Sequence, residues 1–285
     1  MGRPNAVLAL VAAAALAACG PGETPGTADG SGAETAGSGD ASAAAATADS
    51  AQLVADRLMA WQGGRDAWES TRFLRFDWIV EQGGETRVRR SHAWDRWEGD
   101  YRLSYERSDG SRLYALFDVQ TLASDSLADE GRVWVDDEEL DGARRDSALR
   151  NAYGAFVNDS YWLLMPLKWR DDGVHLEWQG PTELPNDSSY AAVHLTFDPG
   201  LGVTDDQYWG FVDPDTGRMA AWRYHLQGQE EKGAVIWWED WRSFGPQGLK
   251  LALNRRWSSG EARIHFENVA ADTAVPSGVF TPPGE

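Results

Sequence analysis

Two hydrophobic periods alternate along this chain, one helical and one of two. Leu53, Val54, Leu58 and Trp61 recur at helical spacing, Ser50 stands where an N-cap belongs, and Gly63-Gly64 end the run. Arg65 to Ser70 adds a short turn carrying Trp68. From residue 71 the period falls to two: Leu74, Phe76, Trp78 and Val80 alternate with Arg75, Asp77, Ile79 and Glu81. Gly83-Gly84 turn the chain into a second strand over 85–95, with Val88, His92 and Trp94 on one parity. Tyr101, Leu103 and Tyr105 mark a third strand, and Asp109-Gly110 turn it into a fourth through Leu113, Ala115, Phe117 and Val119. A short strand at 133–135 leads into an acidic run, and residues 143–158 return to helical spacing with Leu149, Tyr153, Phe156 and Val157 on one side. After an apolar stretch from Tyr161 to Trp169, broken by Pro166, strands are predicted near 174–179, 190–198, 206–213, 218–227, 233–243, 249–257 and 262–268. Short strands joined by turns at this spacing predict an antiparallel meander, sandwich or barrel.

Some strands carry large apolar groups on both parities, as in Tyr208-Trp209 with Phe211 and in Ile236-Trp237-Trp238. A sheet with one wet face alternates more cleanly, so either both faces are buried or the sheet curves about an apolar hollow. The chain has 15 Trp residues, which can fill a core that has no disulfides or can line a pocket with rigid faces and single donors. The candidate pocket residues are Trp78, Trp94, Trp162, Trp209, Trp222 and Trp238.

The N-terminal part differs in composition. Residues 1–18 read as a signal peptide whose apolar core, Ala6 to Ala15, is shorter than the about 20 residues of a membrane span. Leu16-Ala17-Ala18-Cys19 resembles the lipobox of bacterial lipoproteins, which implies cleavage before Cys19 and acylation of its thiol. Two or three acyl chains anchor durably, at about 0.8 kcal/mol per buried methylene. Residues 19–50, rich in Gly, Ala, Ser and Asp, read as a disordered tether, and residues 51–285 as a single domain. Cys19 is the only cysteine, so disulfides and thiolate metal sites are excluded from that domain. The formal charge of −19 repels phosphate backbones and excludes nucleic acid as a partner.

Candidate chemistry is sparse. The five histidines fall in separate predicted strands without metal-binding spacing and read as ordinary strand residues. Acidic clusters stand at Asp136-Asp137-Glu138-Glu139, Asp171-Asp172, Asp205-Asp206 and Glu239-Asp240, and Asp213-Pro214-Asp215-Thr216-Gly217 starts like a calcium loop but continues as a turn. No nucleophile elbow, phosphate loop or dinucleotide fingerprint occurs, so no catalytic residue, metal or cofactor is assigned.

The layout from about Ala51 to Pro283 resembles the lipoprotein-carrier (LolA/LolB-like) superfamily. The closing segment Val275-Pro276-Ser277-Gly278-Val279-Phe280-Thr281-Pro282-Pro283 is similar to the ending of many members. Asn158-Asp159-Ser160-Tyr161-Trp162, continuing to Lys168, and Tyr208-Trp209-Gly210-Phe211, continuing to Gly217, resemble an uncharacterised bacterial lipoprotein family beside those carriers. The resemblance implies a mainly β, α+β fold: an antiparallel meander of about eleven strands, curled into an incomplete barrel around helices, with an apolar hollow that holds acyl chains in related carriers. A lipobox of its own is what the membrane-anchored receptor type carries, and Gly20 after Cys19 suggests the outer membrane, facing the periplasm. Three functions are compatible with these features: a lipid-anchored, non-enzymatic binding module for an acyl-chain or lipoprotein-like ligand; a structural or assembly lipoprotein acting through a protein partner; and a glycan-active enzyme with two carboxylates across a Trp-lined cleft.

Overall fold

The computed structural model describes residues 38–122, 131–198, 206–225 and 233–284, with side chains from residue 50 onward. The expected signal peptide and Cys19 lie outside them. The alternating segments join in one antiparallel sheet. Its first half runs through β1 (Phe73–Gln82), β2 (Glu85–Asp95), β3 (Asp100–Glu106), β4 (Arg112–Asp118), β5 (Arg132–Val135) and β6 (Glu138–Glu139). Its second half runs through β7 (Val174–Glu183), β8 (Ser189–Phe197), β9 (Gln207–Val212), β10 (Met219–His225), β11 (Ile236–Phe244), β12 (Leu249–Trp257) and β13 (Ala262–Asp272). The spatial order is β6-β5-β4-β3-β2-β1-β13-β12-β11-β10-β9-β8-β7. The chain therefore starts in mid-sheet, meanders out to one edge, crosses to the other and meanders back, until β13 pairs with β1. Among the described residues the sheet has thirteen strands where the resemblance implied about eleven, and it curls without closing.

The crossing is made by α4 (Gly142–Leu164). Leu149, Ala152, Phe156, Val157, Leu163 and Leu164 are buried along it, at the i, i+3, i+4 and i+7 spacings of a helix face. The apolar stretch after residue 160 continues this helix and then tightens into a 3-10 turn, Met165–Lys168. Pro166 sits in the first turn of that element, where a missing N–H costs little.

Two further helices pack beside the sheet, α1 (Ser38–Trp61) and α2 (Gly64–Ser70), and a single turn α3 (Val119–Leu122) follows β4. Helix α1 begins well before the predicted cap at Ser50 and takes in the last part of the stretch read as tether. Ala43 to Ala46 and Ala48, with the highest helix propensity, account for that extension. Its buried face is Ala51, Ala55 and Leu58, whereas Leu53, expected inside, is 63% exposed. Small residues let the helix approach the second half of the sheet closely, so the larger side chains are turned away.

The acidic run after β5 is a hairpin. Val135 pairs with Glu138, and Asp136 and Asp137 occupy the two-residue turn at φ 51° and 67°. That is the left-handed pair a tight hairpin requires, and Asp tolerates it better than most residues. Asp213 Oδ1 accepts hydrogen bonds from the backbone N–H groups of Asp215 and Thr216, both at 3.0 Å, so the expected turn is closed by its own first side chain.

Candidate functional site

The inner face of the sheet, against α4, is aromatic and falls into two lobes. In the first, Trp78 and Trp94 pack with Phe76, Tyr101, Phe156 and Phe266. In the second, Trp222 and Trp238 pack with Tyr161, Trp169 and Tyr208. Trp162, on α4, is partly buried against both, with its ring 4.7 Å from Trp222 and 5.6 Å from Trp257. The structure thus brings five of the six candidate tryptophans to one interior. It does not bring Trp209, which points to the opposite face with Phe211 and Ala221 and stacks on His194 at 4.6 Å. Parity alone does not say which of Tyr208 and Trp209 faces inward. Gly210 decides it: only a residue with no Cβ leaves room for the Trp169 ring, so the even positions face in.

Four of the interior indoles share a further property. The Nε1–H groups of Trp78, Trp94, Trp222 and Trp238 are buried and have no acceptor among the described residues. Their residues are 4%, 8%, 2% and 3% exposed.

Two buried charge clusters fix α4 to the sheet, and neither was anticipated from sequence. Asp159 receives Arg90 in a forked pair, Nε to Oδ2 at 2.6 Å and Nη2 to Oδ1 at 2.7 Å. His92 Nε2 lies 3.0 Å from Asp159 Oδ2, and His92 Nδ1 is 2.7 Å from the Tyr101 hydroxyl. Phe76 stacks on the imidazole at 4.6 Å, and Arg90 lies 4.4 Å over the Trp78 ring. Burial alone would raise the Asp159 carboxyl, but the Arg90 charge and the hydrogen bonds from His92 and Arg90 outweigh it and hold it below the usual range. Burial holds the His92 imidazole below its ordinary value despite Asp159, so it is neutral at pH 7, and burial pushes the Tyr101 hydroxyl up.

The second cluster centres on Arg255, which is 0% exposed. Its guanidinium donates to the carbonyl oxygens of Trp162 at 3.0 Å, Ala252 at 2.9 Å and Asn254 at 3.3 Å, and lies 3.5 Å over the Trp238 ring. Trp162 is in the last turn of α4, where carbonyls lack helical partners and the helix dipole is negative, so a cation is held there without a carboxylate. A sequence signal existed for both clusters: His92 and Arg255 fall on the parity of their strands' apolar residues. An isolated polar residue there gives no indication of its partner.

A cleft of about 750 Å³ opens between β12 and β13. These strands pair only at Asn254–His265, Arg255–Ile264 and Arg256–Arg263 and then part. Leu253 and Phe266 line the cleft and also belong to the first lobe of the core. Phe244 and Val269 flank them. Asp240 and Asn268, also at the cleft, have left-handed backbones at φ 54° and 50°. Asn268 lies where the β1–β13 register shifts, between the pairs Asp77–Glu267 and Arg75–Ala270.

An unclosed antiparallel sheet curled about a crossing helix is the arrangement the sequence resemblance implied. Among solved structures, a LolA superfamily protein from Nitrosomonas europaea is similar with a TM-score of 0.46 and 11% identity, over 82% of this chain and 97% of that one. A DUF1329 family protein from Desulfovibrio piger has a TM-score of 0.43 and 12% identity, over 81% of this chain and 97% of that one. The Mycobacterium tuberculosis lipoprotein LppX has a TM-score of 0.24 and 12% identity, over 74% of this chain and 94% of that one. No family model and no curated protein sequence matches the chain. Among the described residues no helix is long and apolar enough to cross a membrane.

Proposed function

We propose that the chain is a lipid-anchored, extracytoplasmic binding module for an acyl-chain amphiphile and is not an enzyme. The reading is carried by the four buried indole N–H groups without acceptors on the inner aromatic face. A buried donor left unpaired costs about 1–3 kcal/mol, and native cores hold few of them. Four in one aromatic interior suit a guest that brings oxygen acceptors on a hydrocarbon, as an acyl ester does. The rings offer apolar area to the chain, and the donors fix its polar end. Attachment is through acylated Cys19, with Gly20 favouring the outer membrane and the domain facing the periplasm.

The test uses the full mature chain and bromine-bearing acyl probes. Dibromostearoyl glycerol and dibromostearate are titrated while indole emission is followed, and gently purified protein is weighed by native mass spectrometry. Saturable quenching and an acyl adduct are expected. Unchanged emission with both probes, together with the mass of the bare polypeptide, overturns the reading.

A further inference from the structure

We infer that the cleft between β12 and β13 is a side entrance to the apolar interior, and that its rim takes the uncharged, hydroxylated headgroup of the amphiphile. The inference rests on the function proposed above and adds the place and the headgroup class.

Three observations converge on it. First, the floor of the cleft is the core itself. Leu253 and Phe266 are 7% and 3% exposed, line the opening, and pack in the same cluster as Trp78 and Trp94. A hydrocarbon lying in the cleft therefore rests on side chains that belong to the aromatic cluster. Second, the backbone is strained on both sides of the opening. Asp240 on β11 and Asn268 on β13 hold left-handed conformations inside strands, and such strain persists only where the surroundings impose it. Third, the charges at the rim are already matched. Arg242 pairs with Asp240 at 2.9 Å, Arg263 with Glu81 at 2.6 Å and Glu267 with Arg89 at 2.9 Å. His265 is held below its ordinary pKa by burial and by Arg263, so it adds no charge at pH 7. An ionic headgroup would have to break one of these pairs. Hydroxyl groups, which donate and accept, join them without displacing a partner.

The experiment measures binding of monolauroylglycerol, laurate and free glycerol to the full mature chain by calorimetry. Val269→Trp fills the opening, and Arg242→Trp crowds it from a side chain that is 62% exposed, so the second variant decides the matter if the first does not fold. Monolauroylglycerol is expected to bind about tenfold more tightly than laurate, glycerol alone to give no heat at the same concentrations, and each folded variant to weaken binding at least about tenfold. Parent-like binding in the folded variants overturns the entrance and leaves the proposed function standing. Laurate binding as well as monolauroylglycerol overturns the headgroup class, and glycerol binding as tightly overturns the acyl requirement. Failure of every acyl compound overturns the proposed function itself.

Discussion

The side chains that hold this interior together include ionised ones. Asp159 has no exposure; the charge of Arg90 balances it, and neutral His92 lies 3.0 Å from it. Removing one member of a buried ion pair leaves the other uncompensated, at about 3–5 kcal/mol. Asp159→Ala is therefore expected to lower unfolding free energy by about 3 kcal/mol, because Arg90 is 22% exposed and keeps some hydration. Arg90→Met with Asp159→Leu is expected to recover most of that loss, read from urea midpoints at constant slope. The neutral His92 gives a pH signature. Its pKa is lowered in the folded state, so below the ordinary value of 6.5 the unfolded chain binds the extra proton. Stability falls as pH drops from about 7 to 5, and His92→Gln flattens that part of the profile. A variant with the parent slope would show that another group governs the window. The parity of His92 was legible from sequence, but its partners were not. Asp159 and His92 are far apart in the chain, and each taken alone reads as a helix-surface acid or a core histidine.

Elements were more legible than contacts. The strands expected over 85–95 and 249–257 match β2 and β12, because alternation and the flanking glycines point the same way. The misses have local causes. Tyr161 to Leu164 is too uniformly apolar to show a period, so the end of α4 could not be separated from the 3-10 turn at Met165–Lys168. Glu138–Glu139 is too short and too acidic to read as a strand, yet the turn at Asp136-Asp137 sets it beside β5. The inward parity of β9 depends on a contact no pattern shows: a Cβ at Gly210 would lie 2.1 Å from the Trp169 ring. Gly210→Ala is expected to cost about 1–3 kcal/mol by overpacking, and Trp169→Leu in the same chain to remove most of that increment. Additive losses in the double variant would mean that the ring had moved aside unaided. The edge strand β7 is protected by its own sequence, since Gly180 at φ 81° shifts its register and Pro181 offers no N–H.

At the scale of the whole molecule, the chain carries 45 acidic and 26 basic side chains. Its surface repels itself, so raising salt from about 0.01 to 0.15 M is expected to raise the urea midpoint as the Debye length shrinks. A falling midpoint would show that surface ion pairs such as Arg256–Glu239 outweigh the general repulsion. The topology has a temporal consequence. The first strand lies in mid-sheet and finds its second neighbour only in the last strand. On a chain made from its N-terminus, each half is a ribbon of hairpins that can zip locally and fast, whereas the seam between them must wait until almost everything has been synthesised. The final hairpin is thus the stitch that turns two loose ribbons into a vessel, and a nonsense codon just before its last strand leaves two raw borders, on β1 and β12, that the whole chain never shows.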